Sequence, residues 1–259
     1  MPEETSEDRL LGGAIRLVQP KNGHRAGTDA VLAARLSGAA PGERIVDLGS
    51  ASGAIGVMIG ASVPETRVVL AERDPALVRM AQGTIALNGL GARVAAAELD
   101  AFARLPAWRT GWPDGLFAIG EADLVVTNPP FFEGSGRRTP DPGRLAAHVM
   151  AGGGLGEWVR AARRLLRPGG RLVMIHRADA LGACLASLGS GFGGLSLRFV
   201  HPREEASASR VVVEGRMGSR AALAVRPPLV LHTADGGFTA EAATLHGASE
   251  GGMLPRSSC

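Results

Sequence analysis

From Glu43 onward, short apolar and β-branched runs alternate with longer stretches in which apolar positions recur every three or four residues. The first pattern predicts strands at residues 44–47, 67–72, 93–97, 122–127 and 171–176; the second predicts helices at 53–61, 75–87, 156–167 and 178–188. Strands separated by helical crossovers run parallel, so the expected architecture is α/β, a parallel sheet with helices on both faces. Residues 195–201 and 210–215 read as two more strands with no helix between them, an antiparallel pair that finishes the sheet. Upstream, residues 11–19 suggest a strand pair or a strand and turn, 21–27 a polar glycine-punctuated loop, and 28–36 a helix. This divides the chain into an N-terminal strand, turn and helix (1–40), a main domain (41–231) and a mobile or locally tacked-down tail (232–259).

With 259 residues, 45% apolar and 20% charged, the chain can bury a large core and is not intrinsically disordered. The longest uncharged run, residues 180–197, is broken by a glycine cluster at 189–194 and makes a poor membrane span. The acidic start lacks the basic and apolar parts of an export signal, so the cytoplasm is expected. Two cysteines, Cys184 and Cys259, form no CxxC, and no HxxxH occurs; no metal site is expected. Charge is uneven: up to Phe131 there are 12 basic and 15 acidic residues, and after it 16 and 10, giving −3 and +6. That asymmetry suits a polyanionic partner over the second half. Nothing in the pattern specifies an oligomeric state.

Candidate chemistry begins at the end of the first sheet strand, in Val46-Asp47-Leu48-Gly49-Ser50-Ala51-Ser52-Gly53-Ala54. Small residues there let a ligand approach the backbone, and ligands of open α/β sheets sit at the carboxyl ends of strands. The next strand ends in Glu72, which can accept the ribose hydroxyls of an adenosine cofactor. A dinucleotide and S-adenosylmethionine compete for this geometry. An acid at 47 with glycines at 49 and 53 favours S-adenosylmethionine, with Ser50 beside them in the same turn. Asp100, past the third strand, is placed to accept adenine N6 hydrogens; a helix N-cap is its ordinary alternative.

The fourth strand runs into Asn128-Pro129-Pro130-Phe131. Successive prolines fix φ and leave rigid carbonyls beside an Asn acceptor, and an aromatic follows. Such a group can grip a planar amine: the Asn128 oxygen and the Pro129 carbonyl accept its two hydrogens while Phe131 stacks on the conjugated system. The two acceptors stabilise the charge that develops as the nitrogen attacks a sulfonium methyl.

These residues resemble the class I S-adenosylmethionine-dependent methyltransferases with an NPP[FY] motif, whose fold is a Rossmann-like mixed seven-stranded sheet. More closely, Gln19-Pro-Lys-Asn-Gly-His-Arg-Ala-Gly-Thr-Asp-Ala-Val-Leu32 followed by the loop, the acid and Asn-Pro-Pro-Phe-Phe132 resembles the bacterial tRNA adenine-N6 methyltransferases that modify A37 of a valine tRNA. The resemblance spans about residues 10–239 and implies S-adenosylmethionine as cofactor and tRNA as substrate. It also implies that Thr28 and Asp29 contact the methionine end of the cofactor. Ala51 departs from the family's usual glycine.

Lys21, His24, Arg25, Arg137 and Arg138 flank this pocket and are candidates for RNA phosphate contacts, with a hydrated rim as the alternative. Arg160, Arg163, Arg164 and Arg167 read as the solvated face of an amphipathic helix. Trp108 and Trp112, in an insertion over 105–117, are either stacking platforms or an apolar plug. Competing functions are methylation of a release-factor glutamine amide or of a ribosomal RNA guanine N2. From other classes come a non-catalytic RNA-binding scaffold and a nicotinamide dehydrogenase, the last disfavoured by the absence of an acid/base pair or second substrate domain.

Overall fold

The computed structural model describes residues 4–22, 25–104, 107–108, 111–130 and 154–248. His24, Phe131, Arg137 and Arg138 lie outside the described residues. The strands are β1 (Thr5–Leu10), β2 (Ile15–Pro20), β3 (Arg44–Leu48), β4 (Arg67–Glu72), β5 (Val94–Glu98), β6 (Ala122–Thr127), β7 (Leu166–Arg177), β8 (Phe192–His201), β9 (Arg210–Met217), β10 (Ala224–Val225) and β11 (Leu229–Val230). The helices are α1 (Thr28–Arg35), α2 (Ala54–Ser62), α3 (Pro75–Leu87), α4 (Leu155–Leu165), α5 (Leu181–Leu188) and α6 (Ala240–Leu245).

One large sheet has the order β10-β8-β9-β7-β6-β3-β4-β5. β3, β4, β5, β6 and β7 pair in parallel, and β9 is antiparallel to both β7 and β8. This is the expected mixed sheet of seven strands, enlarged to nine because the short β10 and β11 add in parallel to β8. The chain lays β4 and β5 on one side of β3 and then returns to place β6 on the other. Strand order reverses there, so the connections leaving β3 and β6 diverge and open a crevice at their carboxyl ends.

Alternate residues of the central strands face opposite helical layers. Ile45, Val68, Leu70 and Leu124 pack with α1, α2 and β2, whereas Val46, Leu48, Val69 and Val125 pack with α4 and Trp108. α3 starts cleanly because the Asp74 carboxylate accepts from Ala76 N–H at 2.8 Å and Pro75 follows as the first helical residue.

The acidic leader is a strand, contrary to the expectation of a strand pair confined to 11–19. β1 pairs antiparallel with β2, its exposed and half-buried positions alternate, and Glu7 faces Arg16 at 2.7 Å. The hairpin is anchored by α3, whose Thr84 hydroxyl and Asn88 side-chain oxygen accept from the Val18 and Arg16 N–H groups at 3.1 and 3.0 Å. The helix expected to reach Arg167 stops at Leu165 because Leu166 already pairs with Ala122 on β6.

Over residues 232–248 the tail is tacked down locally, the second of the two alternatives given for it. The Thr239 hydroxyl caps α6, Ala242 is fully buried, and Leu245 packs on the main core; sparse anchors sufficed because each is well placed. Trp108 is buried, with its Nε1–H donated to the Asp100 carbonyl at 2.8 Å, and Trp112 donates to the Phe117 carbonyl at 2.6 Å, so the insertion is plugged onto the sheet. The arginine stripe is likewise occupied locally. Arg160 pairs with Glu157, Arg167 with Asp123, and Arg164 lies over the Trp108 ring at 5.8 Å.

Asp123 joins the start of β6 to its neighbours through Arg44 (3.1 Å) and Arg167 (2.5 Å), with its side chain 14% exposed. Burial pushes its carboxyl up, but the two guanidiniums and the Arg44 N–H outweigh that and hold it at about 2. A depressed carboxylate contributes stability above its unfolded pKa and loses it as pH falls toward the folded value. Asp123→Asn is therefore expected to lower unfolding free energy by about 1–2 kcal/mol at pH 7. It should also flatten the loss between pH ~4 and ~2, as read by denaturant titrations across that range.

Candidate functional site

β3 delivers Asp47 and Leu48 to the crevice, and the chain then turns through Gly49 (φ 72°), Ala51 (φ 47°) and Gly53 (φ 88°) into α2. Gly49 is required twice over. Its φ is left-handed, and an added Cβ would lie 2.7 Å from the Trp158 ring. That indole donates its Nε1–H to the Thr127 hydroxyl at 2.9 Å, and the hydroxyl donates to the Leu48 carbonyl at 2.7 Å. The tips of β3 and β6, already paired at Leu48 and Thr127, are thereby tied together below the turn.

Glu72, at the tip of β4, braces the same turn. One carboxylate oxygen accepts from Ala51 N–H at 3.0 Å and the other from Arg73 and Asp74 N–H at 2.9 and 3.0 Å. Asp47 is fully buried and accepts from Gly56 N–H at 2.9 Å. Burial pushes its carboxyl up to about 7; the Gly56 N–H pulls it down, and the nearby Glu72 charge pushes it up. The second Asp47 oxygen and the Ser50 hydroxyl are buried without a hydrogen-bond partner among the described residues.

A cavity of about 310 Å³ opens above this floor, lined by residues 25–30, 49–52, 54 and 55, and by Asn128 and Arg210. The glycine turn and Asn128 therefore face one space. Asn128 is half-buried, and its side-chain amide makes no hydrogen bond to another described residue; Pro129 behind it is buried. Arg210 Nε donates to Asp29 at 3.0 Å and Nη1 to the Ser209 carbonyl at 3.0 Å. Arg25 is held by Asp8, by the Ser6 hydroxyl at 3.1 Å and by the Pro20 carbonyl at 3.4 Å.

Of the residues singled out from sequence, Gly49, Ser50, Thr28, Asp29, Arg25 and Asn128 line the cavity, whereas Asp47, Gly53 and Glu72 shape its floor from behind. Asp100 is exposed and accepts from Phe102 N–H at 2.9 Å, the local turn-capping role of its alternative reading; it does not line the cavity. Lys21 pairs with Glu4 at 3.2 Å, also off the cavity. Sequence reasoning missed Arg210. The signal was its place as the first residue of an antiparallel strand, which pairs it with Arg177 at the carboxyl end of β7. Among the described residues, no helix is long and apolar enough to cross a membrane, and no group of three His, Cys, Asp or Glu could hold a metal ion.

The cavity fits an adenosine-bearing donor. It offers a turn whose backbone a ligand can approach, an orphaned Ser50 hydroxyl in its wall and the amide-lined start of α1 opposite.

Comparison with known proteins agrees with this geometry. The methyltransferase small domain family matches residues 25–183. An Aeromonas hydrophila protein named tRNA1(Val) (adenine(37)-N6)-methyltransferase is 26% identical over 83% of this chain and 85% of its own length. A Bordetella pertussis release factor glutamine methyltransferase is 33% identical over 62% of this chain and 56% of its own length. The first curated relatives are matched over only 60% and 56% of their lengths. A solved structure of a predicted O-methyltransferase from Agrobacterium tumefaciens aligns with a TM-score of 0.70 and 30% identity, over 85% of this chain and 97% of that one.

Backbone constraint in the turn is open to a direct test. Gly49→Ala, which adds left-handed strain to a collision with Trp158, is expected to cost at least ~2 kcal/mol. Ala51→Gly exchanges about 1 kcal/mol of strain for a glycine entropy penalty of similar size and should leave stability nearly unchanged. Urea unfolding of the two variants beside the parent protein measures both.

Proposed function

The chain belongs to the methyltransferase small domain family, and on that premise we propose that it methylates the N6 amine of an adenine in tRNA, at position 37 of the anticodon loop. One observation carries the reading: the residue 49–52 turn and Asn128 line a single cavity at the tips of adjacent parallel strands. A donor on the turn and a flat amine at Asn128 would then be neighbours.

S-adenosylmethionine, the methyl donor, supplies an electrophilic carbon on a sulfonium. The 49–53 turn and Glu72 would hold its adenosine half, and Thr28, Asp29 and Ser50 would meet its methionine half. The Asn128 oxygen accepts one amine hydrogen and the Pro129 carbonyl the other, while Phe131 supplies the stacking ring. Two fixed acceptors draw the nitrogen lone pair out of conjugation and stabilise the positive charge that grows on it. The methylated amine is then acidic enough to lose its proton to water, so no strong base is asked of the chain.

Support for tRNA over the other acceptors comes from the extent of the likeness. Relatives named for a tRNA are matched along 60% to 85% of their lengths, a Bordetella pertussis relative named for a release factor along 56%. The +6 charge after Phe131 points the same way. The higher 33% identity to the release-factor enzyme keeps a glutamine amide as the second reading.

Incubation with labelled S-adenosylmethionine and a panel of undermodified tRNA, ribosomal RNA and release factor separates these acceptors. The expected result is label in N6-methyladenosine from tRNA. Asn128→Ala should lower kcat by about 100-fold or more while donor affinity changes less than about threefold. Label in glutamine or guanine would replace the tRNA reading, absence of donor binding would favour a scaffold, and full activity of Asn128→Ala would remove that side chain from the chemistry.

A further inference from the structure

A second cavity, of about 350 Å³, lies at the other end of α1, and its walls include Leu36, Ser196, Arg198, Glu214 and Arg226. It shares no lining residue with the first cavity. α1 begins at the one with Thr28 and is capped at the other by Leu36, eight residues or roughly 12 Å further along the helix. We propose that this second cavity takes the phosphate of a nucleotide, a role that does not depend on which acceptor is methylated at the first.

Sheet register builds the site. Between β8 and β9, Ser196 faces Glu214 and Arg198 faces Val212; β10 adds in parallel, with Ala224 beside Ser196 and Val225 beside Leu197. Arg226 N–H continues that ladder to the Leu197 carbonyl at 2.7 Å, which brings Arg226 level with Arg198 on the same face. Two guanidiniums on strands about 4.8 Å apart repel one another unless an anion joins them. Arg198 is offset by Glu241, 2.6 Å from its Nη2, but its Nε is buried without a hydrogen-bond partner among the described residues. Arg226 has no carboxylate partner among the described residues. Its Nε donates to the Ser196 hydroxyl at 3.1 Å, which fixes the plane and leaves both terminal nitrogens as an open fork, the geometry that a phosphate takes. The surroundings agree: residues 215–234 carry three arginines and no acid. Glu214 opposes a bare anion, yet it lies two register positions from the arginine pair, roughly 7 Å along the strand, where the sugar hydroxyls of the same nucleotide can donate to it. Arg171, 3.7 Å away, partly offsets its charge.

The test uses the full chain and measures binding of uridine 5′-monophosphate, uridine and inorganic phosphate by calorimetry. The nucleotide is expected to bind more tightly than inorganic phosphate, and uridine not at all. Arg226→Gln should weaken nucleotide binding at least about tenfold, with Arg226→Lys in between, while S-adenosylmethionine affinity stays within about twofold. Arg226 is exposed, so its variants are expected to keep the parent unfolding midpoint; Arg198→Gln gives a second, independent loss of nucleotide binding. Glu214→Gln should narrow the advantage of the nucleotide over inorganic phosphate, and an undiminished advantage would overturn the sugar contact. A salt series with tRNA identifies the source of the phosphate. An RNA strand in the cavity predicts that Arg226→Gln lowers the slope of log K against log salt by about 0.7–0.9 and that uridine 5′-monophosphate competes with tRNA. A free nucleotide predicts an unchanged slope beside lost nucleotide binding; either result supports the site. Nucleotide binding that both arginine variants leave intact would overturn it, as would no binding at ~10 mM nucleotide together with an unchanged tRNA slope. Absence of methyl transfer to tRNA would overturn the earlier reading alone.

Discussion

The indole of Trp158, the hydroxyl of Thr127 and the carbonyl of Leu48 form one buried hydrogen-bonded chain beneath the tips of β3 and β6. It explains why a side chain at position 49 is costly, since the ring that begins the chain occupies the space that side chain would need. It also ties the 49–53 turn to the strand that leads into Asn128. A hydrogen-bonded chain shielded from water is electrostatically strong, and each member is costly to leave unpaired, so the chain holds the two strand tips together. The cavity inherits its shape from that constraint.

Above this base the turn is held by charge and backbone amides. Glu72 accepts three backbone N–H groups around the turn and the start of α3, and Asp47 accepts one from the first turn of α2. Burial pushes the Asp47 carboxyl up to about 7, and the Gly56 N–H pulls it down. On the far side, Asp29 and Arg210 join the start of α1 to the start of β9. The N-terminal segment, the glycine turn, Asn128 and the start of β9 thus meet at one opening.

Much of this was legible in the sequence because the signals were periodic or dictated by backbone chemistry. The strands at 67–72 and 122–127 and the helix at 75–87 are found at the expected bounds, since each has Pro, Asp or Glu at or beside one of its ends. The left-handed turn at 49–53 was legible as well, because positive φ calls for glycine, and Asn128 is found lining the same cavity. What escaped is tertiary in origin. β1 is polar and half-exposed, so its pairing depends on β2 and α3 rather than on its own pattern. β10 and β11 are two residues each, too short for any period to show. Asp100 is exposed and gives one carboxylate oxygen to the Phe102 N–H, a local contact that its sequence position alone does not show. Arg210 stayed hidden because an arginine opening a strand has no local mark; only the antiparallel direction of β9 carries it to the cleft.

The most direct measurement is a crystal structure of the protein with S-adenosylhomocysteine and an anticodon stem-loop carrying an unmodified adenine. The account predicts the donor on the 49–53 turn, the adenine amine at Asn128, and the sulfur and nitrogen close enough for one carbon to pass between them, about 4 Å apart. An adenine bound elsewhere on the surface, or a donor whose sulfur points away from Asn128, would contradict it.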